Sequence, residues 1–245
     1  MSSSFVRAIG PAVSIVLPRP RPQPVTLEGA HVRLEPLVPA LHGEDLIAAF
    51  AEDHAGMMWD YLFQGPFPTA EATMQWLEAI ADKPDPLFFT VIPKATGKPA
   101  GVMSLMRIDP AHGVIEVGGI TLAPVVQRSP ATTEAEYLLM RYAFEDLGYR
   151  RYEWKCNALN APSRVAAYRL GFSFEGIFRQ HMVVKGHNRD TAWFAIMDHQ
   201  WPAAKAAFET WLAAENFGAD GSQVASLSQL MAAALPGRPS GAGEM

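Results

Sequence analysis

The residues of this chain whose types and spacing could do chemistry lie between Val114 and Ser163. An apolar, strand-like run, Val114-Ile115-Glu116-Val117-Gly118-Gly119-Ile120-Thr121-Leu122, carries one carboxylate and leads through Ala123-Pro124 to a polar loop, Gln127-Arg128-Ser129-Pro130-Ala131-Thr132-Thr133-Glu134-Ala135. That loop opens a helix. The first turn of a helix has unpaired backbone N–H groups and a partial positive charge, which together hold phosphate oxygens. Small side chains at Ser129, Ala131, Thr132 and Thr133 let an anion approach, Arg128 adds a cation, and Pro130 suits the first helical turn. The same residues would equally serve a capped helix with no ligand. Further on, Asn160 precedes a second short helix that holds Ser163, and an Asn there either caps the helix or meets a ligand.

A carboxylate inside an apolar strand is costly unless it is paired or lies near a cleft, which singles out Glu116 and, second, Glu153. Asp60 and Asp109 could add a negative rim that attracts a cationic acceptor. Other groups have plainer readings. Trp154 and Trp193 alternate with polar neighbours as core residues do, His181 and His187 lack metal-ligand spacing, and Arg189-Asp190 reads as a turn-stabilising pair.

At 245 residues, with 49% hydrophobic and 18% charged residues, the chain is long enough for a sizeable core and ordinary in composition. A net charge of −5 with no Lys/Arg block excludes an extended nucleic-acid footprint. The single cysteine, Cys156, cannot form an internal disulfide and lies in an apolar strand pattern, so it reads as a buried structural thiol of a cytoplasmic protein. Residues Met1 to Leu17 carry only Arg7 as a charge and a short apolar run broken by Pro11, a poor signal peptide too short to span a bilayer. No membrane span is expected elsewhere. The residues do not fix the oligomeric state and leave a homodimer open.

The elements that must position these groups can be read from periodicity. Residues 1–25 end in Pro18-Arg19-Pro20-Arg21-Pro22-Gln23-Pro24, an extended arm lying on the outside. A strand near Val32 to Leu34 precedes helices near Leu41 to Phe50 and Thr69 to Ala81, with Thr69 as N-cap. Between the helices the aromatic segment Met57 to Phe63 packs on the core or walls a cleft. Strands at about Leu87 to Ile92, Ala100 to Ile108 and Val114 to Leu122 suggest an antiparallel meander. There follow a helix from about Thr132 to Leu147, a strand at Arg151 to Cys156, a helix from about Pro162 to Leu170, strands at Ser173 to Val184 and Thr191 to Asp198 joined by a turn over Lys185 to Asn188, and a helix from about Pro202 to Asn216. This order makes an α+β or α/β sheet with a mixed central portion. Residues 218–245 form a Gly/Ser/Ala-rich tail in which only Leu227 to Leu235 could be helical and the last ten residues read as disordered.

Leu122-Ala123-Pro124, then Gln127-x-x-Pro130-x-Thr132, then Asn160-x-x-Ser163, then Gly171-Phe172 with Glu175-Gly176, in this order and spacing, resemble the GNAT N-acetyltransferase superfamily. The branch is that of the ribosomal-protein N-terminal acetyltransferases RimJ and RimL, and the likeness spans about residues 27–205, so the chain divides into arm, a GNAT domain over 26–217, and tail. The resemblance implies a mixed, mostly antiparallel sheet of about seven strands, flanked by helices and splayed where acetyl-CoA binds. Pantetheine would bond to backbone near Leu122, the pyrophosphate would rest on Gln127, Arg128, Ser129, Ala131, Thr132 and Thr133, and Asn160 would meet the pantetheine. Glu116 is implied as base for the acceptor amine, through a water, or else as a paired carboxylate that anchors a strand. Ser163 is implied near the thiol as acid.

Two departures from the family pattern stand out. Pro130 and Thr132 replace small positions of the loop, so the Thr132 and Thr133 hydroxyls, Arg128 and the remaining amides must hold the phosphate. Ala167 stands where many members have a tyrosine, and Tyr168, one residue on, is turned by ~100° and suits packing. The implied activity is direct acetyl transfer from acetyl-CoA to a primary amine, whether a protein or peptide N-terminus, an amino acid or a small amine, without metal, nucleic acid or membrane. The rival reading is a non-catalytic acyl-CoA-binding module.

Overall fold

The computed structural model describes residues 10–241. Residues 1–9 of the arm and 242–245 of the tail lie outside the described residues. The strands are β1 (Leu27–Glu28), β2 (Val32–Pro36), β3 (Leu87–Pro93), β4 (Gly101–Asp109), β5 (Val114–Leu122), β6 (Arg151–Asn157), β7 (Ser173–Val184) and β8 (His187–Met197), in one sheet of order β1-β2-β3-β4-β5-β6-β8-β7. Each neighbouring pair is antiparallel except β5 and β6. The meander β3-β4-β5 is as the alternation predicts. The strand beyond the expected seven is β1, a two-residue edge held by a distant group: the Glu134 carboxylate accepts the backbone N–H groups of Ala30, His31 and Val32 at 2.7, 2.6 and 2.9 Å.

Six helices cover the two faces: α1 (Pro39–Phe50), α2 (Ala70–Ala81), α3 (Pro130–Arg141), α4 (Ala161–Arg169), α5 (Trp201–Leu212) and α6 (Leu227–Ala234). One apolar cluster joins Ile115, Val117, Tyr152 and Phe194 of the sheet to Leu138 of α3, Phe208 of α5 and Met231 of α6. A second, on the opposite face, joins Phe88 and Val102 to Leu46, Phe50, Trp76 and Leu77 of α1 and α2. All seven residues of β3 are buried because both faces are covered there. The aromatic segment before α2 does both things its rings allow. Trp59 is buried edge-on against Phe50, Phe67 and Trp76, while Tyr61 and Phe63 stay exposed. Thr69 caps α2, its hydroxyl accepting the Ala72 N–H.

Several boundaries differ from the periodic reading. The helix expected to Leu147 runs as α3 to Arg141 and ends in a π-helical turn, Tyr142–Asp146, whose Tyr142 hydroxyl accepts the Gln23 N–H of the arm. Lys185 and Gly186, at φ 49° and 79°, make the hairpin turn, so β8 starts at His187 rather than Thr191. The closing helix stops at Leu212 and yields to a 3-10 turn, Ala214–Asn216. The tail stretch expected to be disordered is seated as far as Gly241. Arg238 donates to the Tyr168 and Phe172 carbonyls, the Pro239 carbonyl accepts the Phe174 N–H, and the Gly241 carbonyl accepts from Arg164. A guanidinium at a helix C-terminus meets orphan carbonyls and the negative end of the dipole, a long-range partner that composition does not reveal. Among the described residues no helix is long and apolar enough to cross a membrane.

Candidate active site

β5 and β6 pair in parallel only from Val114↔Arg151 to Val117↔Trp154 and then part. Gly118–Leu122 and Lys155–Asn157 flank the resulting wedge. On its other edge β5 slips register against β4 between Ser104↔Gly118 and Val102↔Thr121, a β-bulge in which Gly119 and Ile120 oppose Met103. Gly119 within it has φ +59°, and a Cβ there would lie 2.9 Å from the Phe88 ring and 3.2 Å from Ser104 Oγ, so the bulge requires glycine. A bulge re-aims peptide groups, and N–H groups directed into a cleft can stabilise a developing oxyanion.

The loop beyond Leu122 is bound up in its own hydrogen bonds. Gln127 Nε2 donates to the Leu122 carbonyl at 2.9 Å, which leaves that carbonyl one lone pair for a ligand. Arg128 sits at φ +57°. Ser129 is the N-cap of α3: its Oγ donates to the Val126 carbonyl at 2.7 Å and accepts the Thr132 N–H at 3.4 Å. Thr132 Oγ1 donates back to the Ser129 carbonyl at 2.9 Å, and Thr133 Oγ1, in a buried residue, accepts from Arg169 at 3.1 Å. Both threonine hydroxyls expected to face a phosphate are therefore engaged within the fold. What remains for an anion is the first-turn backbone, including the Ala131 amide, with the guanidinium groups of Arg128 and Arg169. Arg169 is a group the sequence reading missed. It stacks over the Trp211 ring at 5.1 Å, and burial lowers its pKa.

Beyond the wedge, Asn160 caps α4, its Oδ1 accepting the Ser163 N–H at 3.1 Å, so the capping alternative is realised and the Nδ2 donor is left over. Ser163 Oγ accepts the Trp154 Nε1–H at 3.0 Å and lies beside the Cys156 thiol. Burial pushes that thiol up, a neutral sulfur rather than a nucleophile. Tyr168 packs under the Arg238 guanidinium, 4.5 Å from its ring centroid, the packing role its helix position predicts.

Glu116, 3% exposed, is paired twice. Arg107 Nη1 donates to both its oxygens at 3.0 and 2.8 Å, and Lys155 Nζ reaches Oε2 at 2.7 Å. Lys155 also donates to Glu153 Oε2 at 2.6 Å and lies 3.8 Å from the centroid of the Trp193 ring. Arg151 joins Glu153 to Glu175. Burial pushes the Glu153 carboxyl up, but Lys155 and Arg151 outweigh it and hold it below the usual carboxylate range. Glu116 is thus a paired carboxylate, and Oε1, with one cation against two on Oε2, is its freer atom. Asp109 does not form a rim: its carboxylate accepts the His112 N–H in a turn, while Asp60 is exposed. Nor do Arg189 and Asp190 pair. Asp190 accepts the Gln180 N–H and Asn188 Nδ2, and Arg189 turns the other way, over Phe63. Arg107 and Lys155 stand between apolar strand neighbours just as Glu116 does, so the signal that marked the carboxylate marked its partners too. Among the described residues no cluster of His, Cys, Asp or Glu side chains is placed to hold a metal ion.

Residues 31–173 match the Acetyltransferase (GNAT) domain family. A crystal structure of a GCN5-related N-acetyltransferase from Brucella melitensis is 52% identical, with a TM-score of 0.87 over 89% of this chain and 99% of that one. A probable GNAT-family acetyltransferase from Chromobacterium violaceum ATCC 12472 is 36% identical, with a TM-score of 0.74 over 82% and 100%. The Bacillus subtilis (strain 168) protein named "Putative ribosomal N-acetyltransferase YdaF" is 28% identical over 109 residues, 44% of this chain and 59% of that protein, so the match spans about three fifths of that relative. With most of its length matched by a GNAT domain and by solved members, the chain belongs to the GNAT N-acetyltransferase family.

Proposed function

We propose that the chain is an acetyl-CoA-dependent N-acetyltransferase that passes the acetyl group directly to a primary amine. The observation that carries this reading is the wedge between β5 and β6, opened beyond Val117↔Trp154 and edged by the Gly119 bulge. The Ala131 amide, Arg128 and Arg169 would take the phosphates of acetyl-CoA, and the backbone of Gly118 to Leu122, with Asn160, would take its pantetheine. Proximity does most of the work, since holding amine and thioester together removes a large entropic barrier.

The proton balance assigns the remaining roles. An acceptor ammonium loses one proton before its nitrogen attacks, and Glu116 Oε1 passes that proton through a water to solvent. As the C–N bond forms and the C–S bond breaks, the second proton leaves nitrogen, and the sulfur gains one. Ser163 relays it, its hydroxyl giving a proton to the departing sulfur and regaining, through a water, the one that leaves nitrogen, while accepting the Trp154 Nε1–H polarises that hydroxyl toward donation.

The test is acetyl-CoA binding by calorimetry, then release of free thiol in the same sample over N-terminal peptides, amino acids and small amines. Binding with thiol release on one class of acceptor supports the reading, and absence of binding overturns it. Binding without turnover supports a non-catalytic acyl-CoA-binding module, which Ala167, standing where many members have a tyrosine, favours.

A further inference from the structure

Arg189 lies on β8 at the mouth of the wedge and is 6% exposed. Its Nε donates to Thr191 Oγ1 at 3.3 Å and its guanidinium carbon lies 4.8 Å from the centroid of the Phe63 ring. Its two terminal nitrogens have no hydrogen-bond acceptor, and no carboxylate forms an ion pair with it, among the described residues. Burial accordingly lowers its pKa, with Arg107 adding to the shift and Glu116 opposing it.

The cations of the cleft floor are neutralised. Glu116, Glu153 and Glu175 balance Arg107, Lys155 and Arg151, three charges against three. Around Arg189, Thr191 Oγ1 is shared with His181 Nδ1, Asp190 is turned to the Gln180 backbone, and Lys185 Nζ is spent on the Trp59 carbonyl. Arg189 is therefore a buried guanidinium in the cleft with no carboxylate partner among the described residues. The phosphates of acetyl-CoA do not reach it. Arg189 alternates with Thr191 and Trp193, and Trp193 sits against Lys155, so its side chain lies on the α1/α2 face, whereas α3 packs on the opposite face against Val117 and Tyr152.

A buried guanidinium with free donors fits a carboxylate better than any other common group, since its fork matches the two oxygens. Resting on the proposed acetyl transfer, we infer that the acceptor carries a carboxylate close to its amine, as a free amino acid does, and that Arg189 is the residue that selects it. An acceptor bearing only positive charge would face this cation unaided. A protein N-terminus would offer a peptide carbonyl in place of the carboxylate.

The test compares three acceptors of one side chain in thiol release by the full chain: phenylalanine, phenylalaninamide and phenethylamine, with a dipeptide beginning in aspartate as a fourth. The expected kcat/KM is at least ~30-fold higher for the amino acid than for its amide, carried mostly by KM, because losing one partner of a buried charge pair costs that much or more. In Arg189→Gln the preference collapses to within about threefold, and Arg189→Lys restores part of it. Equal kcat/KM for acid and amide in the unaltered chain overturns the inference. So does turnover of the dipeptide alone, which assigns Arg189 to an acidic first side chain. Binding of N-acetylphenylalanine, read by calorimetry, supplies a readout without turnover: it is expected to weaken at least ~10-fold in Arg189→Gln, and unchanged binding also overturns the inference. Loss of acetyl-CoA binding would instead strike at the acetyl-transfer reading, which keeps the two failures apart.

Discussion

At the scale of single residues, the floor of the cleft is a chain of alternating charges in which each buried carboxylate shares its cations with a neighbour. Glu116 touches both Arg107 and Lys155, so replacing it removes a proton acceptor and also unbalances two cations. Glu116→Gln is expected to lower kcat by about 10²-fold with acetyl-CoA binding unchanged, measured by thiol release and by calorimetry. A fall in activity matched by a fall in Tm and in acetyl-CoA binding would assign Glu116 to charge balance alone. Ser163→Ala leaves the Trp154 indole without its acceptor and the departing sulfur without a donor. It should cost roughly tenfold or more in kcat while acetyl-CoA binding by calorimetry stays unchanged. The motif residues Glu116, Asn160 and Ser163 were legible because spacing along the chain marks them. Arg107 and Lys155 carry the same signal of a charge between apolar strand neighbours, but their pairing with Glu116 was not legible, since Lys155 meets Glu116 only through the parallel register of β5 and β6.

At the scale of elements, Glu134 and Glu136 of α3 and Glu145 of the turn after it meet three different fates. Glu134 is satisfied by three backbone N–H groups, and Glu145, in the π-helical turn after it, takes Trp201 and Lys205. Glu136 is fully buried, neither of its oxygens has a hydrogen-bond partner, and the Tyr152 hydroxyl beside it is likewise without one. Burial pushes its carboxyl from 4.5 up to about 8. Between those values the folded chain keeps a proton that the unfolded chain has lost, so stability present below about pH 4.5 is lost as pH rises toward about 8. Glu136→Gln should remove this slope, raising the unfolding free energy at pH 8 by an amount on the order of 3 kcal/mol and little at pH 5, measured by urea titration at both. The caps of these elements were legible, Thr69, Ser129 and Asn160 each being the residue type that accepts a first-turn amide. The π-helical turn and strand β1 were not, because each is held by a partner about a hundred residues away, Tyr142 by Gln23 and the β1–β2 turn by Glu134.

At the scale of the whole molecule, both ends of the described chain are tied into the body that holds the site. The arm bonds to the β4–β5 end through Arg19 and Arg21, and the tail clasps α4 through Arg238 and Gly241. Arg238→Ala would strand the Tyr168 and Phe172 carbonyls and is expected to cost about 2 kcal/mol, a fall of roughly 4–8 °C in Tm by calorimetry. The tail's low-complexity sequence concealed this role, since one arginine and two backbone carbonyls carry it. The clasp also sets an order of events during synthesis. α4, with Ser163 at its start, is braced only after residues 238–241 have been made and released from the ribosome, although the sheet that faces it is complete some forty residues earlier. A nascent chain can therefore hold the wedge in outline yet lack its braced wall.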